Sequence, residues 1–337
     1  MTVTDKNEEK YEEKKRQERG EWANQIEFFL ACVGYAVGIG NVYRFPYLCY
    51  KNGGGVFLIP YFIALVVAAL PIFYLELALG QFASLGPNCI FGKIVPVFQG
   101  IGWGMVMIAF LVSIYYNMII AWSLYYFVLS FRTTLLWSNC RNSWNTFMCK
   151  SNLEDEACRE TGWGPNAFYF NFTCYNSSTV TASVNASLKL LQENKQYTSP
   201  AEEFWENYVL ALNDKFELGD LQWKLVVALV SAWIIVFLCL IKGVQSMGKV
   251  VYFTATFPYI VIFILLIRGV TLDGANLGIE FYVTPNISKL AELSVWKDAA
   301  IQIFYSLSPV FGGLLTMASY NKFHNNCFRD AVVVGIM

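Results

Sequence analysis

Six apolar blocks, each close to the length needed to cross a lipid bilayer, set the limits on what this chain can fold into. They run over about residues 26–48, 56–80, 95–130, 224–241 and 250–270, with a broken sixth at about 297–320. The last seven residues, AVVVGIM, open another. A hydrocarbon core of about 30 Å needs roughly 20 apolar residues wound as a helix. Composition agrees: 56% of the 337 residues are hydrophobic and only 15% charged, where soluble domains carry about 25% charge. The expected fold class is an all-α polytopic membrane protein, so the lipid bilayer is one partner. The net charge of −1 gives no bias toward nucleic acid, and none is expected as a partner.

Residues 1–21 are charged and mixed, with the run DKNEEKYEEKKRQERGE and no apolar core. No cleavable signal peptide is expected in this stretch. The basic residues next to the first span favour a cytoplasmic N-terminus. The order expected from there is a tail at 1–21, spans one to three within 22–130, and an outer loop at 131–222. Spans four and five follow within 223–270, a second outer loop at 271–296, and at 297–337 the sixth span and the start of a seventh. The short inner loops hold Lys93, Lys242 and Lys249. The large outer loop carries three glycosylation acceptors, Asn171, Asn176 and Asn185, and Asn286 lies in the second. Four cysteines, Cys140, Cys149, Cys158 and Cys174, also fall in the large loop, where oxidising conditions permit disulfides. Their pairing is open.

Two of the apolar blocks carry helix breakers at mid-depth. The first contains GYAVGIGNVYRFPY, residues 34–47; the sixth reads DAAIQIFYSLSPVFGGLLTMASYNKF, with Ser306, Ser308, Pro309 and Gly312-Gly313 near its middle. The second, fourth and fifth blocks are plainer. A broken helix in hydrocarbon frees N–H and C=O groups, each costing several kcal/mol if unpaired. Freed N–H groups carry partial positive charge and hold anions. Freed C=O groups ligate a hard cation such as Na⁺. Two breaks facing each other thus build a site for a zwitterion beside a metal ion. Singly, the residues read more plainly. Gly34, Gly38 and Gly40 permit close helix packing, and Asn41 an interhelical hydrogen bond. Arg44 suits a snorkelling position, and Tyr115 and Tyr116 suit core aromatics. The combination outweighs those separate readings.

The segment RGEWANQIEFFLACVGYAVGIGNVYRFPYLCYKNGGGVFLIPYF closely resembles the first two spans of the sodium- and chloride-coupled neurotransmitter and amino-acid transporters. SIYYN, QIFYSLSPVFGGLL and ASYNKFHNNCFRDA resemble that family's third span, broken sixth span and the loop into the seventh. The resemblance covers about residue 19 to the end. It implies the first part of an inverted-repeat transporter fold with broken first and sixth transmembrane helices.

The resemblance also implies a site. One Na⁺ would meet the carbonyl of Ala36, the amide of Asn41 and the hydroxyl and carbonyl of Ser306. A second would meet the carbonyls of Gly34 and Val37. The substrate carboxylate would meet amides around Ile39 and Gly40 and the hydroxyl of Tyr116. Val112, Tyr305, Ser308, Phe311 and Gly312 would line the rest of the pocket. Cl⁻ would be held by Tyr61, Gln302 and Ser306. Arg44 matches the outer gate, and Arg19, Trp22 and Tyr320 the inner one. Cys140 and Cys149 match the family's outer-loop disulfide. Glu76 is expected to be a buried carboxylate of structural or coupling importance. Neither broken span supplies a carboxylate ligand, so a bound anion would offset the charge of two cations.

Gly38 bears on the substrate. Monoamine carriers of the family have an aspartate there, so a glycine favours a substrate with its own carboxylate. The resemblance points to the plasma membrane and to symport of a neutral amino acid such as glycine, with a GABA-like zwitterion as the alternative. Phe311, where glycine carriers have tryptophan, leaves room for a larger side chain. Tyr43 and Tyr305 depart from the usual tryptophan and phenylalanine. Family members have twelve spans, so on this reading the chain stops inside the seventh. A truncated, non-transporting chain that modulates a full-length carrier is the alternative function, and a homo-oligomer is the other association open to it. No nucleophile–base or metal-ligand pattern points to an enzyme, and the sole histidine, His324, is expected in an inner loop.

Overall fold

The computed structural model describes residues 20–38, 40–176, 197–212, 219–284 and 286–337. Arg19, Ile39 and Asn185, all given roles above, lie outside the described residues. Among the described residues, four helices are long and apolar enough to cross a membrane: Gly54–Ala83, Pro96–Leu129, Trp223–Leu240 and Val244–Val270. Counting the bent pair Gln25–Ala36 and Gly40–Lys51 as one span makes five. The chain is that of a multi-pass membrane protein. It divides into two compact units, Met1–Ile114 with Val236–Met337, and Tyr115–Ile235.

In the first unit, helix α1 (Gln25–Ala36) opens with Glu27 in its first turn, where a negative charge suits the positive helix end. It stops at Val37, which is extended at φ −97° and ψ 105°. A π-helical turn, Gly40–Arg44, leads into α2 (Phe45–Lys51), and the two stretches are bent by 47°. The second apolar block is less plain than its sequence suggests. It runs through α3 (Leu58–Ala64), a π-helical turn at Leu65–Ala69 and α4 (Leu70–Ala83). Pro71 accounts for the turn: it lacks an N–H and its ring crowds the carbonyl four residues back, at Val67.

The remaining helices of this unit lie in the two arms of the chain. A short α5 (Pro87–Ile94) precedes the long α6 (Gln99–Leu129), which runs on into the second unit. After the second unit come α10 (Val244–Val270), α11 (Ala275–Val283), α12 (Leu293–Leu307), α13 (Gly313–Ala318) and α14 (Cys327–Ile336). The core joins Phe28, Cys32 and Val33 of α1 to Phe73 and Leu77 of α4, Ile303 and Leu307 of α12, and Leu314 of α13. In lipid, such helices gain little from apolar burial itself and much from close approach of small residues. Gly80 shows this: a Cβ there would overlap the carbonyl oxygen of Leu315, so α13 lies directly on the backbone of α4. Gly34 faces Ala255 of α10, where a Cβ would meet the alanine's at 3.6 Å.

The second unit contains α7 (Asn152–Cys158), α8 (Pro200–Glu203) and most of α9 (Trp223–Leu240). It also holds an antiparallel hairpin of β1 (Ala167–Phe170) and β2 (Thr173–Asn176), a departure from an all-helical chain. The hairpin turn is Asn171-Phe172, both at positive φ (46° and 62°), as a tight two-residue hairpin connection requires. Two disulfides, Cys140–Cys149 and Cys158–Cys174, resolve the pairing that the sequence left open. Phe204 centres an aromatic cluster with Tyr126, Trp137, Trp144 and Tyr208. Of the acceptors, Asn171 is exposed at the turn and Asn176 donates from its amide to the carbonyl of Trp163 at 2.7 Å.

Candidate ion and substrate site

Where α1 ends, its last carbonyls have no helical partner. The side chain of Asn41 supplies one: its Nδ2 donates to the Ala36 carbonyl at 3.0 Å. The other end of the same amide, Oδ1, accepts from the Ser306 hydroxyl at 3.0 Å. Asn41 therefore ties the gap after α1 to the last turn of α12, across a sequence separation of 265 residues. The Gln302 amide adds a parallel link, with Nε2 donating to the Gly40 carbonyl at 3.4 Å. The Tyr61 side chain lies beside that of Ser306. Three hard oxygens, from Ala36, Asn41 and Ser306, are thus linked through the single Asn41 amide. Hard cations select oxygen ligands of this kind.

Tyr61, Ser306 and Gln302 can all donate, as an anion site demands. Gln302 is buried at 1% exposure, and its Oε1 has no hydrogen-bond partner. An orphaned buried polar atom is costly. A half turn of this amide would present its NH₂ in that direction instead, at the expense of the bond to Gly40. The residues present fit an anion on that condition.

The second gap lies between α12 and α13. Ser308 and Val310 both take left-handed backbone angles, at φ 46° and 73°, and Gly312 does so at 77°. For a β-branched residue such as Val310 that conformation is strained. The turn is held from outside: the Glu76 carboxylate of α4 accepts from the Val310 amide, and the Tyr35 hydroxyl faces the Ser308 carbonyl at 3.4 Å. Glu76 is 4% exposed, and its second oxygen has no partner.

The remaining candidates are spread more widely. Gly38 accepts from the Asn41 amide at 3.1 Å, and Val37 donates back to Val33 at 2.8 Å. Ser308 turns its hydroxyl to the Tyr305 carbonyl at 3.0 Å. Phe311 is half-buried in the gap, and Val112 is half-buried on α6. Tyr116 belongs to the second unit and is 36% exposed. The Arg44 guanidinium lies 4.7 Å above the Tyr305 ring, so this arginine stacks on an aromatic face. At the other end, the Trp22 indole donates to the Met317 carbonyl at 3.0 Å, and its backbone amide to Tyr320 at 3.3 Å. Trp22, Gln25, Tyr320 and His324 line a cavity of about 400 Å³ beside that contact.

Two residues here carried no signal in the sequence. Tyr35 covers Gly313, where a Cβ would lie 2.6 Å from its hydroxyl. Gln81 binds the 321–325 loop. Both sit in apolar runs, and the partners that give them meaning are more than two hundred residues away.

The sequence model of the sodium:neurotransmitter symporter family matches residues 19–337. The chain belongs to that family. Among its relatives, the sodium- and chloride-dependent glycine transporter 1 of Xenopus laevis is 49% identical over 319 residues, 94% of this chain and 48% of the relative. The mouse sodium- and chloride-dependent neutral and basic amino acid transporter B(0+) is 48% identical over 337 residues, 99% of this chain and 52% of the relative. The rat sodium- and chloride-dependent GABA transporter 2 is 47% identical over 330 residues, 98% of this chain and 50% of the relative. This symporter-family chain spans about half the length of the curated relatives it matches.

Proposed function

We propose that this protein belongs to a sodium- and chloride-dependent symporter of a neutral amino acid such as glycine, working by alternating access at the plasma membrane. The observation that carries the reading is the Asn41 bridge from the Ala36 carbonyl to the Ser306 hydroxyl. It joins two interruptions that are far apart in sequence and gathers neutral oxygen ligands there. On this reading α1 with α2, and α12 with α13, are the two halves of broken first and sixth transmembrane helices, and the N-terminus is cytoplasmic. Na⁺ replaces the hydrogen bonds of Asn41 and Ser306, and a second Na⁺ takes the carbonyls of Gly34 and Val37. Cl⁻ takes Tyr61, Ser306 and the Gln302 amide. The carboxylate of the substrate supplies negative charge beside Gly38, where this chain has none. All three named relatives are sodium- and chloride-dependent, and the substrates in their names are glycine, neutral and basic amino acids, and GABA.

The ion gradients suffice as a driving force. A tenfold Na⁺ gradient is worth about 1.4 kcal/mol per ion, and 60 mV adds about 1.4 kcal/mol per charge. The test is uptake of labelled glycine, alanine and GABA by cells expressing the complete transcript that carries this sequence, in Na⁺ and Cl⁻ media against choline and gluconate. Uptake that needs both ions and is lost in Asn41→Ala supports the reading. Absence of Na⁺-dependent uptake for every substrate overturns it.

A further inference from the structure

Gln81 is the second-last residue but one of α4, 5% exposed, and its side chain is fully used. Nε2 donates to the carbonyls of Phe323, at 2.9 Å, and Asn325, at 2.7 Å; Oε1 accepts from the Asn321 amide at 3.3 Å. One glutamine therefore fixes three positions of the loop between α13 and α14. The neighbouring Phe82 ring lies 6.2 Å from that of Phe323.

The other side of the same stretch meets the segment before α1. Gln25 donates to the Asn325 side chain, whose own amide donates to Asp330 at 2.8 Å. Trp22 binds the carbonyls of Met317 and Tyr320. The region 317–325 is thus sandwiched between the Trp22–Gln25 segment and the end of α4. The α4 contacts extend further. Glu76 holds Val310 before α13, Gly80 admits the Leu315 carbonyl within α13, and Gln81 holds the loop after it. Residues 76 and 80 share one face of the helix and 81 lies on the flank beside it, so α4 contacts residues 310–325 at three points.

We propose that Gln81 is a positioning residue: it keeps 321–325 in the geometry that receives Gln25, directly after the Trp22 contacts at Met317 and Tyr320, and so sets how readily the inner side of the protein closes. This rests on the alternating-access reading above. A substitution that removes both donors frees the loop from α4 and favours the state in which Trp22 and Gln25 have parted from it. The Gln81 carboxamide touches neither ion nor substrate positions, so its loss acts through closure rather than through binding.

The test uses the complete transcript with Cys89→Ala and Cys239→Ala, and reads labelling at Cys327, whose amide donates to the Asn325 carbonyl at 3.0 Å, by peptide mass spectrometry. Inside-out vesicles are treated with a membrane-impermeant maleimide, with and without Na⁺. In the otherwise unchanged protein, Na⁺ slows labelling of Cys327. In Gln81→Glu and Gln81→Met, which keep the size and lose the donors, labelling in Na⁺ should rise about tenfold and Vmax fall about tenfold, with KM within twofold. Asn321→Ala removes one bond of the three and should shift labelling about twofold; it decides the matter if the Gln81 variants fail to reach the membrane. Wild-type labelling in Na⁺, or a loss of Vmax explained wholly by lost surface protein, overturns the proposal. A parent protein without Na⁺-dependent uptake sinks the transport reading instead, and is seen before any variant is made.

Discussion

Two buried carboxylates, Glu203 of the second unit and Glu76 of the first, are treated in opposite ways. In the second unit the charge is answered. Glu203 accepts from the Asn145 side chain at 3.0 Å, the Thr146 amide at 2.9 Å and the Thr198 hydroxyl at 2.7 Å, and from the Thr146 hydroxyl as well. Asp155 takes the Tyr169 amide at 2.8 Å. Glu154 takes the Arg141 guanidinium at 2.7 Å, which together with the nearby tyrosine holds that arginine above its ordinary pKa. In the first unit, Glu76 keeps one oxygen without a partner, and so does the neutral Gln302. Satisfied networks fix one conformation, while open valences in a low-dielectric setting are costly unless something else uses them. The contrast is between a carboxylate whose two oxygens are both engaged, Glu203, and one with an open valence, Glu76.

Substitutions can break or sharpen that contrast. The largest effect belongs to Asn41→Ala. Removing an oxygen ligand and leaving the Ala36 carbonyl unpaired should lower Na⁺-dependent uptake about 100-fold at normal surface abundance, measured as initial rate against surface biotinylation. Next comes Cys158→Ser with Cys174→Ser. Opening a loop of 16 residues should cost the second unit about 3 kcal/mol, read as a fall in surface protein with the ion dependence of the remainder unchanged. Glu203→Ala strips four donors of their acceptor and should destabilise the same unit by about 2 kcal/mol, seen as a lower midpoint in thermal unfolding in detergent. Arg141→Lys should do least. It keeps the charge and loses the forked geometry and the position 5.8 Å over the Tyr169 ring, costing about 0.5 kcal/mol in the same assay. Should Glu203→Ala change the Na⁺ dependence, or Asn41→Ala only the abundance, the division of labour is wrong.

Much of the fold was legible because lipid punishes irregularity. Apolar length marked the four long helices and the bent first pair, and the glycine, proline and serine clusters lie where helices stop at Val37 and Ser308. The pairing of Asn41 with Ser306 was reached through resemblance, since periodicity cannot say which turn of α12 lies opposite which turn of the first gap. The π-helical turn at Leu65–Ala69 escaped notice because a single proline, Pro71, does not look like a break when all around it is apolar. The cysteine pairing stayed open because four cysteines allow three arrangements and only the fold chooses. Gln81 gave no sign at all: a glutamine at the end of an apolar run reads as an interfacial residue, and its three partners lie some 240 positions on.

The left-handed Val310 has a consequence for how the protein changes shape. Holding a β-branched residue there costs about 1–2 kcal/mol relative to an ordinary extended or helical backbone, and that load is borne by the acid of α4 that pins its amide. The hinge between α12 and α13 is therefore wound rather than slack. Were that contact released, the turn could relax toward an ordinary backbone, so part of the free energy for any rearrangement at this turn is held within the chain itself.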